Sequence, residues 1–239
     1  MKNLENLENI CIKTLENLNK KKDKEKYKKY IEAIIRNKFP SILRKIAIDA
    51  IYTSHKYVRE KNGVSSVSLR DLQRFRRAYK FFNEYYEYKK EFLIKSVNKI
   101  SDKFDIKSKI ESFVLSLFIT YYIKLFKPGF KSKYLYYIIN DYVTKLAEQS
   151  KIKEWLTDPN WIKEPFNTIV RKEEEFLLEE MEVRKEKGIG LNNALKENIF
   201  LMFFSIYAYI PLTVVGKPGC SKSLSIQLII RIINPFFNF

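Results

Sequence analysis

At 239 residues, with 45 Lys and Arg against 28 Asp and Glu and a net charge of +17, the chain is long enough to bury one large core or two small ones. Aromatic residues are abundant while Gly numbers 6 and Pro 7, which favours long helices. Two cysteines, Cys11 and Cys220, lie far apart, which argues against a disulfide framework and for a reducing, cytoplasmic compartment; the charged, amphipathic opening is not a signal peptide.

Leu4, Leu7, Cys11, Leu15 and Leu18 form a helical stripe, a lysine-rich stretch follows, and Tyr27, Tyr30, Ile31, Ile34 and Ile35 resume the stripe, so residues 1–36 read as an N-terminal helical segment. Pro40 starts a new helix whose buried face is Leu43, Ile46, Ala47, Ala50 and Ile51. Lys61-Asn62-Gly63 is a turn. Ser68 with Asp71 three residues on is a capping box, placed before Leu72, Phe75, Tyr79 and Phe82. Further helices are expected over 90–126 and 132–150, separated by Lys127-Pro128-Gly129, so residues 37–150 form one helical unit. Residues 151–190 read as a connector: a loop from Trp155 to Pro165, an acidic helix from Glu173 to Glu182, then Gly188 and Gly190. Residues 191–239 open with a helix from Asn192 to Ala208 and continue into a buried strand, Leu212 to Val215. No other strand is expected. His55, the single histidine, reads as a helix-surface residue rather than a ligand.

Charge is distributed unevenly: residues 201–239 carry three basic side chains and no acidic one. Most of the excess is lysine scattered on helix faces, apart from Lys20 to Lys29, which points to solvated faces rather than a nucleic-acid site. Ile199 to Val215 is apolar and near the lower length limit for crossing a bilayer, but Pro211 interrupts it. A buried helix running into a buried strand accounts for it, so no membrane span is expected.

That strand delivers the chain to Gly216-Lys217-Pro218-Gly219-Cys220-Ser221-Lys222-Ser223, a phosphate-binding loop. Its ligand class is the triphosphate of ATP or GTP. Backbone N–H groups close around the β-phosphate, Lys222 bridges the β- and γ-phosphates, Ser223 ligates Mg²⁺, and the following helix points its positive end at the anion. Gly216, Lys222 and Ser223 match the motif, whereas Ser221 stands where a second glycine is usual. If that position needs a left-handed backbone, serine there costs roughly 1–2 kcal/mol, and Gly219 is the alternative source of flexibility. Hydrolysis also needs strands bearing magnesium-holding and water-activating carboxylates, and none is expected between Ser223 and Phe239. Turnover by this stretch alone is therefore not expected, and no catalytic residue is assigned.

Arg70, Arg74 and Arg77 fall on one face of the helix after Ser68, and Arg70 opposes the helix dipole in its first turn. Val67-Ser-Leu-Arg-Asp-Leu-Gln-Arg74 resembles the sensor 2 helix in the lid of dynein-like AAA+ modules. Asn193-Ala-Leu-Lys-Glu-Asn198, Ile210-Pro-Leu212 and Gly216-Lys-Pro-Gly-Cys-Ser-Lys-Ser-Leu224 resemble the entry into the next module. In this order they resemble the mysterin family of giant AAA+ E3 ubiquitin ligases, patchily over residues 40–235. The resemblance implies a mainly α chain: the helical lid of one module (37–150), a connector, and the opening helix–strand–loop–helix of an α/β module. It implies ATP and Mg²⁺ as ligands, neighbouring AAA+ modules as partners, and Arg70 as a lid arginine facing the preceding module's nucleotide. The family's loop likewise has serine before the lysine. The ubiquitin-transferring part has no counterpart here, since no cysteine–histidine cluster is present. The competing expectation is a basic helical scaffold or binding protein, or an inactive truncated product.

Overall fold

The computed structural model describes residues 21–35, 39–96, 104–180, 190–219 and 221–233. The expected stripe at Leu4, Leu7, Cys11, Leu15 and Leu18, together with Gly188 and the loop residue Cys220, lies outside them. Eleven α-helices occupy the described residues: α1 (Lys21–Ile35), α2 (Arg44–Asn62), α3 (Leu69–Ser96), α4 (Phe104–Thr120), α5 (Pro128–Tyr134), α6 (Asn140–Ser150), α7 (Lys153–Thr157), α8 (Pro159–Lys163), α9 (Pro165–Glu180), α10 (Asn193–Tyr207) and α11 (Lys222–Ile233). The chain is mainly α, as expected. It divides into two compact units, Met1–Thr168 and Ile169–Phe239.

The first unit is organised by aromatic side chains. Tyr27, Tyr30, Ile31 and Ile35 of α1 and Leu72, Phe75, Tyr79 and Phe82 of α3 are all buried, as their spacing predicts. Phe39, Phe75, Tyr79 and Phe113 interlock with ring centroids 5.2–6.2 Å apart. α4 is buried from Ile110 to Thr120. It tolerates this in part because Ser108, Ser112 and Ser116 each donate their hydroxyl to the carbonyl four residues back, at 2.9, 2.7 and 2.6 Å, so these three hydroxyls are satisfied within the helix.

Helix ends follow local chemistry. α2 begins as a 3-10 turn, Ser41–Leu43, and stops at Gly63, whose φ of 96° suits the residue without a Cβ. The capping box at α3 forms: the Ser68 N–H donates to Asp71 Oδ2 at 2.8 Å and the Arg70 N–H to Ser68 Oγ at 3.2 Å. Two expectations change. Of the stretch 90–126 expected to be helical, residues 90–96 belong to α3 and 104–120 to α4, and Tyr122–Lys124 is a 3-10 turn. The loop foreseen from Trp155 to Pro165 holds α7 and α8, because Asp158 accepts from the Asn160 N–H at 2.8 Å, Pro159 opens α8, and Trp155 stacks on Trp161 at 5.0 Å.

The second unit has a compact core of Leu178, Leu195, Ile199, Met202, Leu228 and Ile229, drawn from α9, α10 and α11. Asn192 caps α10 by accepting from the Leu195 N–H at 2.8 Å. That helix closes with Tyr209 left-handed at φ 53° and the Ile210 N–H donating to Ser205 O at 2.8 Å. Leu212 to Val215, expected as a buried strand, has no regular secondary structure and no ladder. A strand is made by hydrogen bonds to a neighbouring strand, and none exists among the described residues. The alternation survives: Leu212 and Val214 pack on the core, whereas Val215 is 87% exposed. The apolar run 199–215 is thus divided between α10 and this lead-in, and among the described residues no helix is long and apolar enough to cross a membrane.

Candidate functional site

The second unit brings Gly216, Lys217, Pro218, Gly219, Ser221, Lys222 and Ser223 together at the head of α11. Two residues bend the loop. Gly219 has φ 84° and Ser221 φ 56°, so both the glycine and the serine that replaces the motif's second glycine are left-handed. Left-handed residues of this kind are a feature of the backbone turns from which anion-binding concavities are built. For Ser221 the conformation stores about 1 kcal/mol of strain. Ser221→Gly is therefore expected to stabilise the second unit by about 1 kcal/mol, read as slower amide exchange in α11; unchanged exchange would count against a strained serine.

Lys222 holds the loop shut. Its Nζ donates to Gly216 O at 2.8 Å and to Lys217 O at 2.7 Å. An ammonium has three donors in a tetrahedral array, so the third points away from both carbonyls and is left for a ligand. Beneath the loop, Ser225 is fully buried and donates its N–H and hydroxyl to Ser221 O at 2.9 and 2.7 Å. Leu228 and Ile229 then root α11 in the core. The loop itself is open: Gly216, Lys217, Pro218, Gly219 and Ser223 are all exposed.

The residues fit a nucleotide-borne Mg²⁺ only in part. Ser223 offers one hydroxyl oxygen, whereas Mg²⁺ takes six oxygen ligands. Among the described residues no group of three or more His, Cys, Asp or Glu side chains could hold a metal without the phosphates.

The arginine face of α3 is less uniform than its spacing suggests. Arg70 is exposed in the first turn. Arg74 turns to Asp71, Nη1 to Oδ1 at 3.0 Å, and Lys124 Nζ reaches the same oxygen at 2.6 Å. Asp71, 3% exposed, is thus neutralised by Arg74 and Lys124 rather than by Arg70. A separate open cleft in the first unit lies between α1 and α2. It mixes Lys29, Arg44 and Lys45 with Glu25 and Glu32, and Lys28 is paired with Asp49, so it has no net character as an anion site.

His55 corrects the sequence reading. It is fully buried, with the Tyr27 ring 5.1 Å away and the Tyr121 ring 5.9 Å away. Neither ring nitrogen has a hydrogen-bond partner among the described residues. Burial first, and the Arg59 charge second, push its pKa down to about 3. The signal was present: extending the Ala47, Ala50, Ile51 stripe by one and two turns lands on Ser54, His55 and Val58, all buried. A second residue not singled out from sequence is Glu174 on α9. Burial first, and the Glu197 carboxylate second, raise its pKa to about 7, against Lys196 and Arg171.

Residues 188–235, which include the whole loop, match the family model described as RNF213 AAA domain. The chain is 30% identical over 203 residues to E3 ubiquitin-protein ligase rnf213-beta of Danio rerio, a match covering 82% of this chain and 4% of that protein. It is 26% identical over 211 residues to E3 ubiquitin-protein ligase RNF213 of Homo sapiens, covering 83% and 4%. With the Mus musculus protein of the same name it is 26% identical over 184 residues, covering 75% and 3%. The chain therefore spans about 4% of the length of the curated relatives it matches. No solved structure matches it.

Proposed function

Because this chain is RNF213-like over 82% of its length and carries an AAA-domain segment at residues 188–235, we propose that it binds the triphosphate of ATP, with Mg²⁺, through Gly216 to Ser223. The observation that carries the reading is the position of Lys222. Its ammonium is fixed at the head of α11 by the Gly216 and Lys217 carbonyls, with one donor to spare. Two left-handed turns and a helix N-terminus support the same anion. The Ser223 hydroxyl would supply one oxygen to a Mg²⁺ carried by the phosphates. Residues 201–239 contain no carboxylate to orient a water or hold the metal, so this stretch is assigned binding rather than turnover. Titration with Mg·ATP, comparing the wild type with Lys222→Met, tests the reading.

Within a longer protein of the relatives' kind, the two units serve adjacent AAA+ modules. The first acts as a lid whose Arg70 reaches the nucleotide of the module before it. The exposure of Arg70 and the pairing of Asp71 to other cations support this role. In an RNF213-type protein containing both modules, Arg70→Ala is expected to slow ATP turnover about tenfold, the scale of one charge-assisted hydrogen bond. Circular dichroism should stay unchanged. Wild-type turnover in that variant would remove the arginine from the mechanism.

A further inference from the structure

We infer that Lys217 supplies a second ammonium to the nucleotide, directed at its terminal phosphate; this rests on the reading of the loop as a triphosphate site. Three observations on one residue converge.

The first is position. The Lys217 carbonyl accepts from Lys222 Nζ at 2.7 Å. With ordinary C=O and Cα–C lengths, the Lys217 Cα then lies at most about 5 Å from that ammonium. Lys222 is the group that bridges β- and γ-phosphates. A lysine side chain reaches about 6 Å from its Cα, so the Lys217 ammonium can meet the phosphate that Lys222 holds.

The second is the residue that follows. Pro218 has no N–H, so this loop lacks one of the backbone donors that a phosphate cradle uses. Proline also holds the preceding residue to extended backbone, which restricts where the Lys217 side chain begins. A side-chain cation beside the lost donor restores the charge that the backbone cannot provide.

The third is freedom. Lys217 is exposed, and among the described residues no hydrogen bond or ion pair engages its ammonium. Residues 201–239 contain no acidic side chain to neutralise it. Lys222, by contrast, commits two of its three donors to the loop. The two lysines therefore divide the work: Lys222 holds the loop and turns its one remaining donor to the phosphates, and Lys217 reports whether a third phosphate is present.

The test is calorimetric titration of the whole 239-residue chain with Mg·ATP and with Mg·ADP. Wild type is compared with Lys217→Met, Lys217→Arg and Lys222→Met, and with Lys133→Met, an exposed lysine of the first unit, as the charge control. Lys217→Met is expected to weaken ATP about tenfold and ADP less than about threefold, Lys217→Arg to retain most ATP affinity, and Lys133→Met to change neither. Lys217→Met with wild-type ATP affinity, alongside a loss in Lys222→Met, would overturn the assignment while leaving the loop a nucleotide site. Equal weakening of ATP and ADP would overturn the terminal-phosphate role. A wild type that binds no better than Lys222→Met would remove the nucleotide reading, and this inference with it.

Discussion

Lys222→Met is expected to lower the affinity for Mg·ATP by about 10-fold to 10²-fold, with helicity unchanged. The one donor that Lys222 leaves free would make a charge-assisted hydrogen bond to the phosphates worth roughly 1.5–3 kcal/mol, and every 1.4 kcal/mol is about tenfold in binding. The substitution also releases the Gly216 and Lys217 carbonyls that Nζ now bridges at 2.8 and 2.7 Å, so the loop loses its closure as well as its charge. Those carbonyls are on an exposed loop and water replaces the lost donors, which keeps the second unit folded. Absolute affinity is expected to be modest, because an open, solvated loop screens its own contacts. Equal heat from wild type and Lys222→Met would mean only nonspecific attraction to a chain of net charge +17. Such heat would collapse with added salt. The chain would then be better described as a basic helical scaffold.

The second large effect concerns acid. The folded His55 titrates at about 3 and an unfolded one at about 6.5. Above 6.5 the imidazole is neutral in both states, and its contribution to stability is present in full. Below 6.5 the unfolded chain takes up the proton first, so stability is lost as pH falls from 6.5 through 3. At about 1.4 kcal/mol per pH unit the whole window is worth roughly 5 kcal/mol. The groups facing His55 do not rescue it: Arg59 and Lys124 oppose the imidazolium, and Asp71, which favours it, is already committed to Lys124 and Arg74. Both tryptophans, Trp155 and Trp161, belong to the first unit, so their fluorescence during urea unfolding reports it selectively. The urea midpoint is expected to fall between pH 6.5 and 5, where most carboxylates stay ionised, and His55→Leu should flatten that slope. An equally steep slope in His55→Leu would refute the assignment. Glu174 works in the opposite sense. Its carboxyl is raised to about 7 from 4.5, so its contribution to the second unit is present below 4.5 and lost as pH rises through 7. Protection of the α10 amides, taken as the exchange rate relative to the intrinsic rate at each pH, should therefore fall toward neutral pH.

Local chemistry determined much of this molecule from sequence alone. The stripes through Tyr27 to Ile35 and Leu72 to Phe82, the Ser68–Asp71 capping box and the turn at Gly63 all depend on contacts within a few residues, which is why spacing revealed them. The loop motif at Gly216 to Ser223 was legible for the same reason, since its pattern lies in consecutive residues. Tertiary structure decided the rest. Arg74 meets Asp71 one turn along the same helix, but that Lys124 reaches the same carboxylate depends on where α4 ends. His55 is buried because α1 and the chain after α4 bring Tyr27 and Tyr121 over it. Leu212 to Val215 has the alternation of a strand yet forms no ladder, because a strand needs hydrogen bonds from a neighbour that its own residues do not supply. Helices, caps and turns close their hydrogen bonds nearby in the chain. Burial, ion-pair choice and strand pairing are settled by segments far away in it.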